Sequence, residues 1–202
     1  MEPDRRDVCP RCGLFLQACG APDLCASCFR TPPPFIRHRS AGVYDGLLKR
    51  LILLFKYGDG EALGRELALF AWEALREDEL LWRGAECIVP VPLHRRRQRK
   101  RGFNQAAVLA RRLSDRAGVP VLEGLLERIK DVPPQAGMKS AERRRNVVGA
   151  FRVRRPKEAA GGSFLLVDDV YTTGSTMGEC CRALLRAGAR DVRALTLARV
   201  PP

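Results

Sequence analysis

Phe164-Leu165-Leu166-Val167 runs directly into Asp168 and Asp169 with no polar break, and this arrangement limits the fold more than any other feature of the chain. A strand with one wet face alternates apolar and polar residues, whereas an unbroken apolar run is covered on both faces, as in a parallel sheet between helices. In open α/β sheets ligands sit beyond the carboxyl ends of the strands, which is where the two carboxylates fall. Ionised carboxylates only accept hydrogen bonds, so vicinal sugar hydroxyls, each able to donate one, suit them. Thr172-Thr173-Gly174-Ser175-Thr176 then brings a permissive glycine and four hydroxyls, ahead of a helix-compatible segment with apolar Met177, Cys180, Cys181, Leu184 and Leu185. Backbone N–H groups at a helix start bind phosphate with the help of the dipole, and the hydroxyls add donors. The stretch describes a sugar-phosphate cradle. The plainer alternative is a strand-turn-helix in which the acidic pair caps the turn and the hydroxyls serve the local backbone.

A second signal lies near the amino terminus. Cys9-Pro10-Arg11-Cys12 and Cys25-Ala26-Ser27-Cys28 are two CxxC pairs twelve residues apart, in a segment too short and loop-rich to build its own core. Each pair can offer two thiolates to one tetrahedral Zn²⁺, whose binding free energy of about 10–16 kcal/mol replaces missing burial. No signal-peptide-like or membrane-spanning run precedes them, so a cytoplasmic protein with structural zinc is expected rather than disulfides. A redox CxxC would belong beside a thioredoxin-like strand and helix, whereas these pairs lie among Pro, Gly and Asp. Cys19 either replaces a ligand or is a spare buried thiol. Cys87, Cys180 and Cys181 sit in apolar contexts and read as core residues, while His38 and His94 read as surface or internally satisfied histidines.

The 202 residues allow a small module over residues 1–34, a stiff boundary at Thr31-Pro32-Pro33-Pro34 and one main domain over 35–202. Tyr44, Leu47, Leu48, Leu51, Ile52 and Phe55 form the buried stripe of an amphipathic helix, with Lys49, Arg50 and Lys56 off it. A second helix carries Leu63, Leu67, Phe70, Ala71, Ala74 and Leu75, followed by a strand over Cys87 to Val91. Gly188 closes the helix begun after Thr176, and Val192 to Val200 is a further strand. Helices alternating with strands indicate an α/β fold, a mostly parallel sheet flanked by helices.

The formal charge of +13 is concentrated in Arg95 to Arg101 and Arg143 to Arg155, which points to polyanionic partners. Charge runs also arise as solvated faces. Arg95, Arg96 and Arg101 follow a strand end, where they suit pyrophosphate or a nucleic-acid backbone, for which neutralised phosphates release counterions.

Val167 to Thr176 resembles the PRPP signature of type I phosphoribosyltransferases, in which two acidic residues precede a Thr-Thr-Gly turn. Leu47 to Asp59, Val89 to Gln105 with its RGFNQ, and Gln135 to Phe151 with its ERRRNVVGAF join it in resembling the ComF family over nearly the whole chain. The resemblance implies a type I phosphoribosyltransferase-like fold with an N-terminal zinc module, in a family linked to DNA uptake in natural competence and to single-stranded DNA. By it, Asp168 and Asp169 hold the ribose hydroxyls of PRPP, Thr172, Thr173, Gly174, Ser175 and Thr176 hold its 5′-phosphate, and Mg²⁺ bridges pyrophosphate oxygens. Cys9, Cys12, Cys25 and Cys28 hold zinc. Lys139 and Arg143, with Arg144 or Arg145, neutralise departing pyrophosphate from a loop over 130–146, unless those arginines only open an exposed helix. Met138-Lys139 departs from the smaller, more polar pair of relatives. The expectation is a PRPP-binding protein, either a transferase acting on an unassigned acceptor or a sensor of PRPP. The alternative is a single-stranded DNA platform without catalysis, whose aromatic content of 6% allows few stacking contacts. In a third reading the zinc module docks a competence helicase or recombination-mediator protein. No membrane insertion is expected.

Overall fold

Four parallel strands form the central sheet of the computed structural model, which describes residues 8–16, 24–57, 60–131 and 145–201. In chain order its elements are α1 (Ala26–Arg30), β1 (Arg37–Val43), α2 (Gly46–Tyr57), α3 (Gly60–Leu75), α4 (Glu79–Trp82), β2 (Cys87–Pro90), α5 (Arg95–Arg101), α6 (Gln105–Ala117), β3 (Leu126–Arg128), β4 (Phe151–Val153), α7 (Pro156–Ala159), β5 (Ser163–Tyr171), α8 (Ser175–Arg186) and β6 (Asp191–Arg199). The sheet order is β1–β6–β5–β2 with every pair parallel, and β3 with β4 makes a separate antiparallel pair.

β5 is unbroken in sequence because it divides two cores. Phe164 and Leu166 pack on one side with Met177, Cys180, Cys181 and Leu184 of α8. Leu165 and Val167 face the other side, with Ile52 and Phe55 of α2 and Leu109 and Leu113 of α6. Each such side chain contributes about 1.5–3 kcal/mol by leaving water, so a charge at any of the four would unseat the sheet. Among the described residues, the cysteines outside the amino-terminal pairs are free, with Cys180 and Cys181 buried and Cys87 half-buried.

The α2 stripe is narrower than periodicity predicts. Ile52 and Phe55 are buried, with Tyr44, Leu48 and Leu51 partly buried against them, but Leu47 is 71% exposed. Phe70 of α3 likewise stays 42% exposed, while Leu67, Ala71 and Leu75 on the same helix are buried.

The amino-terminal segment leans on the sheet. Its four cysteines belong to the same apolar cluster as Phe35, Tyr171 and Met177. Arg11 donates to the carbonyls of Pro33 and Phe35. Arg37 and Arg39 of β1 both grip Asp78, at 2.7 and 2.9 Å, and Arg39 also donates to the carbonyls of Cys9 and Pro10. Among the described residues no helix is long and apolar enough to cross a membrane.

Candidate functional site

The register of β2 against β5 sets Pro90 beside Val167, so the carboxyl end of β2 opens next to Asp168. From that end the chain passes through α5 to Gly102, whose φ of +83° ends the short helix. Asn104 then starts α6: its side chain accepts from the Ala106 amide and donates to the Val91 carbonyl at 3.1 Å. The RGFNQ stretch thus ties α6 back to the end of β2. Gln105 is buried, its Oε1 taken by Arg101 at 2.7 Å and its Nε2 without a partner.

Asp168 and Asp169 stand half-buried at the end of β5. Asp168 accepts from the Asp169 amide at 2.9 Å. Burial, joined by the neighbouring Asp169 charge, pushes the Asp168 carboxyl up to about 7. Lys56 of α2 reaches across to Asp169 at 3.0 Å, the two side chains only 19% and 14% exposed. Burial alone would lower the lysine, but the Asp169 carboxylate outweighs it and raises Lys56 above its ordinary value. Sequence periodicity set Lys56 aside as off the stripe, yet it follows the buried Phe55 and enters the site from the edge of that stripe. Arg128 at the end of β3 is a second cation that sequence reading missed. It is buried, with its guanidinium 5.5 Å over the Phe151 ring, and it is among the charges that favour ionised Asp168.

The turn after β5 has the geometry its composition suggests. Gly174 lies at φ +71°, and a Cβ there would collide with the Tyr171 ring and hydroxyl, so no other residue fits. Thr173 and Ser175 share a hydroxyl bond at 2.7 Å, and the Ser175 amide lies 3.4 Å from Thr173 Oγ1. α8 has no acidic residue in its first turn, so the dipole and free amides there meet no competing carboxylate. A phosphate fits this end of β5, and a diol fits the carboxylates beside it.

Arg95 and Arg96 stand at the same sheet end, but they engage Glu127 at 3.0 Å and Asp131 at 3.6 Å, while Arg101 stacks 5.2 Å from the Tyr57 ring. His94 caps α5 and lies 3.3 Å from Asp131. Lys139, Arg143 and Arg144 lie outside the described residues, as does Cys19.

The ligand atoms of Cys9, Cys12, Cys25 and Cys28 all fall within 4.8 Å of one another. A tetrahedron with Zn–S bonds of about 2.3 Å has edges of roughly 3.8 Å, and Cys12 Sγ lies 3.7 Å from Cys25 Sγ, so the four fit a zinc ion. Burial opposes ionisation at Cys9, but amides of Cys12, Cys25 and Arg11 bring it down to about 7; burial pushes Cys12 and Cys28 up. A bound cation would discharge that conflict.

This cluster connects to the phosphate turn. His38 is fully buried; its Nδ1–H donates to the Cys12 carbonyl at 2.9 Å, which leaves Nε2 to accept from Thr196 Oγ1 at 3.1 Å. Burial holds the ring neutral, down to about 3. The imidazole stacks on Tyr171 at 4.2 Å, and Tyr171 packs under Gly174. Arg199 covers the other part of the Tyr171 surface at 4.8 Å and also donates to the Cys12 carbonyl, at 2.6 Å.

Residues 99–201 match the family described as phosphoribosyl transferase domain. Competence protein F of Haemophilus influenzae is 34% identical over 194 residues, 95% of this chain and 84% of that protein. DNA utilization protein YhgH of Escherichia coli is 34% identical over 198 residues, 96% of this chain and 85% of that one. Competence protein ComFC of Bacillus subtilis is 28% identical over 221 residues, with 98% and 86% covered. Among solved structures, a glutamine phosphoribosylpyrophosphate amidotransferase from B. subtilis, complexed with ADP and GMP, aligns at a TM-score of 0.42 and 18% identity, over 69% of this chain and 27% of that one. A purine phosphoribosyltransferase from Pyrococcus horikoshii aligns at 0.39 and 16% identity, over 67% and 82%.

Proposed function

The chain belongs to the phosphoribosyl transferase domain family and, within it, to the ComF family of competence proteins, and from that premise we propose that it binds PRPP and serves DNA uptake. The observation that carries this reading is the adjacency of the Asp168-Asp169 pair to the Thr172–Thr176 turn at the start of α8. Asp168 and Asp169 take the ribose 2′- and 3′-hydroxyls. Amides at the start of α8, with the hydroxyls of Thr172, Thr173, Ser175 and Thr176, take the 5′-phosphate. Lys56 pairs with Asp169 and holds it in place for the diol. Mg²⁺ bound with PRPP would be held mainly by the ligand's own oxygens rather than by an all-protein cage, and would offset the pyrophosphate charge. Arg95 and Arg96 serve the pyrophosphate end, where negative charge builds if the C1–oxygen bond breaks, and Lys139 and Arg143 are assigned to neutralise the same charge. Zinc on the four cysteines is structural: it fixes the knuckle against which His38 and Arg199 are set. The zinc module over 1–34 and the transferase-like domain over 35–202 work together in the cytoplasm.

A second reading, a platform for single-stranded DNA that uses this fold without catalysis, is favoured by α5. Its sequence RRRQRKR holds six cations in seven residues, none of them buried. The relatives' names, competence and DNA utilization, suit both readings. On the platform reading, affinity for single strands falls steeply as salt rises. A helicase or recombination mediator docked on the knuckle suits either.

Thermal unfolding of the zinc-loaded protein with Mg²⁺ and PRPP decides between them. One-site binding at 100 times Kd adds about 2.7 kcal/mol, or roughly 5–10 °C for a chain of this size. That rise is expected in the parent and not in Asp168→Asn/Asp169→Asn. Equal rises in both would remove the acidic pair from the ribose site, and no rise in either would leave single-stranded DNA as the ligand.

A further inference from the structure

The phosphate turn has a second side. A cavity of about 270 Å³ opens between it and the cysteine knuckle, with Thr172, Thr173 and Ser175 on one wall, Ser27, Thr31 and the prolines before Phe35 on the other, and three of the four knuckle cysteines at its inner end, where part of the volume belongs to the metal. Neither Asp168 nor Asp169 lines it. A ribose held by the acidic pair with its 5′-phosphate on the turn therefore ends where this cavity begins. The volume approaches the roughly 300 Å³ at which small-molecule sites start, far more than one phosphate monoester needs. A larger depression of about 420 Å³ lies over α6 between Arg111, Arg112 and Val121, away from all of these groups.

Two guanidiniums give the cavity its charge. Arg199 enters it from above the Tyr171 ring, and Arg182 enters from α8 with its Nε on Glu179 at 2.9 Å. The terminal nitrogens of Arg182 lean over Gly178, within 3.6 and 3.7 Å of where a Cβ would stand, and Pro34 Cδ lies 3.8 Å from the same point. Those are ordinary contacts, so alanine would fit. A helix with Gly at this position gives up about 1 kcal/mol of propensity, and what it leaves is an open slot between a proline and a guanidinium fork. Such a fork suits a second phosphate oxygen, and the proline wall suits a sugar or base.

We infer that the site takes ribosyl phosphates whose 5′-phosphate is esterified onward, with the added unit lodged between the knuckle and α8. The ligand class is a ribose with a free 2′,3′-diol and a 5′-phosphodiester, as at the 3′ end of a ribonucleotide strand, or a 5′-pyrophosphate diester, as in ADP-ribose. This rests on the diol and phosphate assignments made above.

Titration calorimetry on the zinc-loaded full chain tests it with three probes: ribose 5-phosphate, the ribodinucleotide UpU and ADP-ribose. At least one diester is expected to bind about tenfold or more tighter than the monoester, and the tighter of the two tells which source the slot prefers. Gly178→Leu, which fills the slot, is expected to cancel that advantage and leave ribose 5-phosphate binding as it was, and Gly178→Ala, whose methyl touches both Arg182 and Pro34, to reduce it. Diesters no tighter than ribose 5-phosphate, or an advantage that survives Gly178→Leu, overturn the inference and leave the diol reading standing. If ribose 5-phosphate itself does not bind the parent, the acidic-pair reading has failed and the inference falls with it.

Discussion

Replacing Lys56 with Met keeps most of the side chain's length and removes its charge, so it isolates the ion pair with Asp169. Exposed pairs contribute about 0–1 kcal/mol, and breaking a fully buried one costs about 3–5. Lys56 and Asp169 retain 19% and 14% of their side-chain exposure at a separation of 3.0 Å, which places the pair between those limits. The expected loss is about 2 kcal/mol, or roughly 4–8 °C in Tm for a chain of this length. Because the Lys56 pKa is raised in the folded protein, its contribution is complete at neutral pH and is lost only as pH climbs past the raised value. Calorimetry at pH 7.5 is therefore the right assay. The cost comes from stranding a carboxylate beside Asp168, so Lys56→Met/Asp169→Asn should recover more than half of it. A single variant within about 1 °C of the parent, or a double variant whose loss equals the sum of the singles, would refute the argument.

Asp168 gives a pH test whose sign is fixed. Its folded value of about 7 lies above the ordinary 3.8, so the folded chain holds a proton that the unfolded chain releases, and the stabilisation present below about pH 4 is lost as pH rises through 7. Asp168→Asn cannot titrate, so its Tm relative to the parent should climb by about 3 °C or more between pH 4.5 and pH 8; a flat difference would remove the perturbed carboxyl. Glu179 of α8 is buried and accepts from the Gly149 amide, Arg182 and Arg186. Glu179→Ala should cost about 3 kcal/mol in urea unfolding, and a loss under about 1 kcal/mol would mean water replaces all three bonds.

What the sequence discloses here depends on how far apart the partners lie. The β5 run was legible because an unbroken apolar strand has few uses, and the double CxxC because four thiols at that spacing have fewer still. The turn after β5 was legible as a turn because its glycine and hydroxyls are contiguous. Lys56 was not, since hydrophobic periodicity sorts a lysine to the surface and its carboxylate partner is distant in the chain. Arg128 closes a three-residue strand, too short to show a period. His38 reads as isolated because its partners, the Cys12 carbonyl, Tyr171 and Thr196, come from separate stretches. Leu47 failed in the other direction: the stripe continues through it in sequence, but Leu48 beside it turns to the core and leaves Leu47 outside.

The strand order bears on how such a chain comes off the ribosome. β1 pairs with β6 and β2 with β5, so neither early strand pairs with the other. The first 160 or so residues therefore emerge without a partner for any strand of the main sheet, apart from the bridge between Ile88 and Val121. The knuckle precedes every strand of the main sheet, yet Thr196 and Arg199, which hold His38 and the Cys12 carbonyl, belong to its latest strand, β6. Metal can load before β5 and β6 emerge, but the sheet closes only once both are out, when they slide between two strands already waiting at its edges.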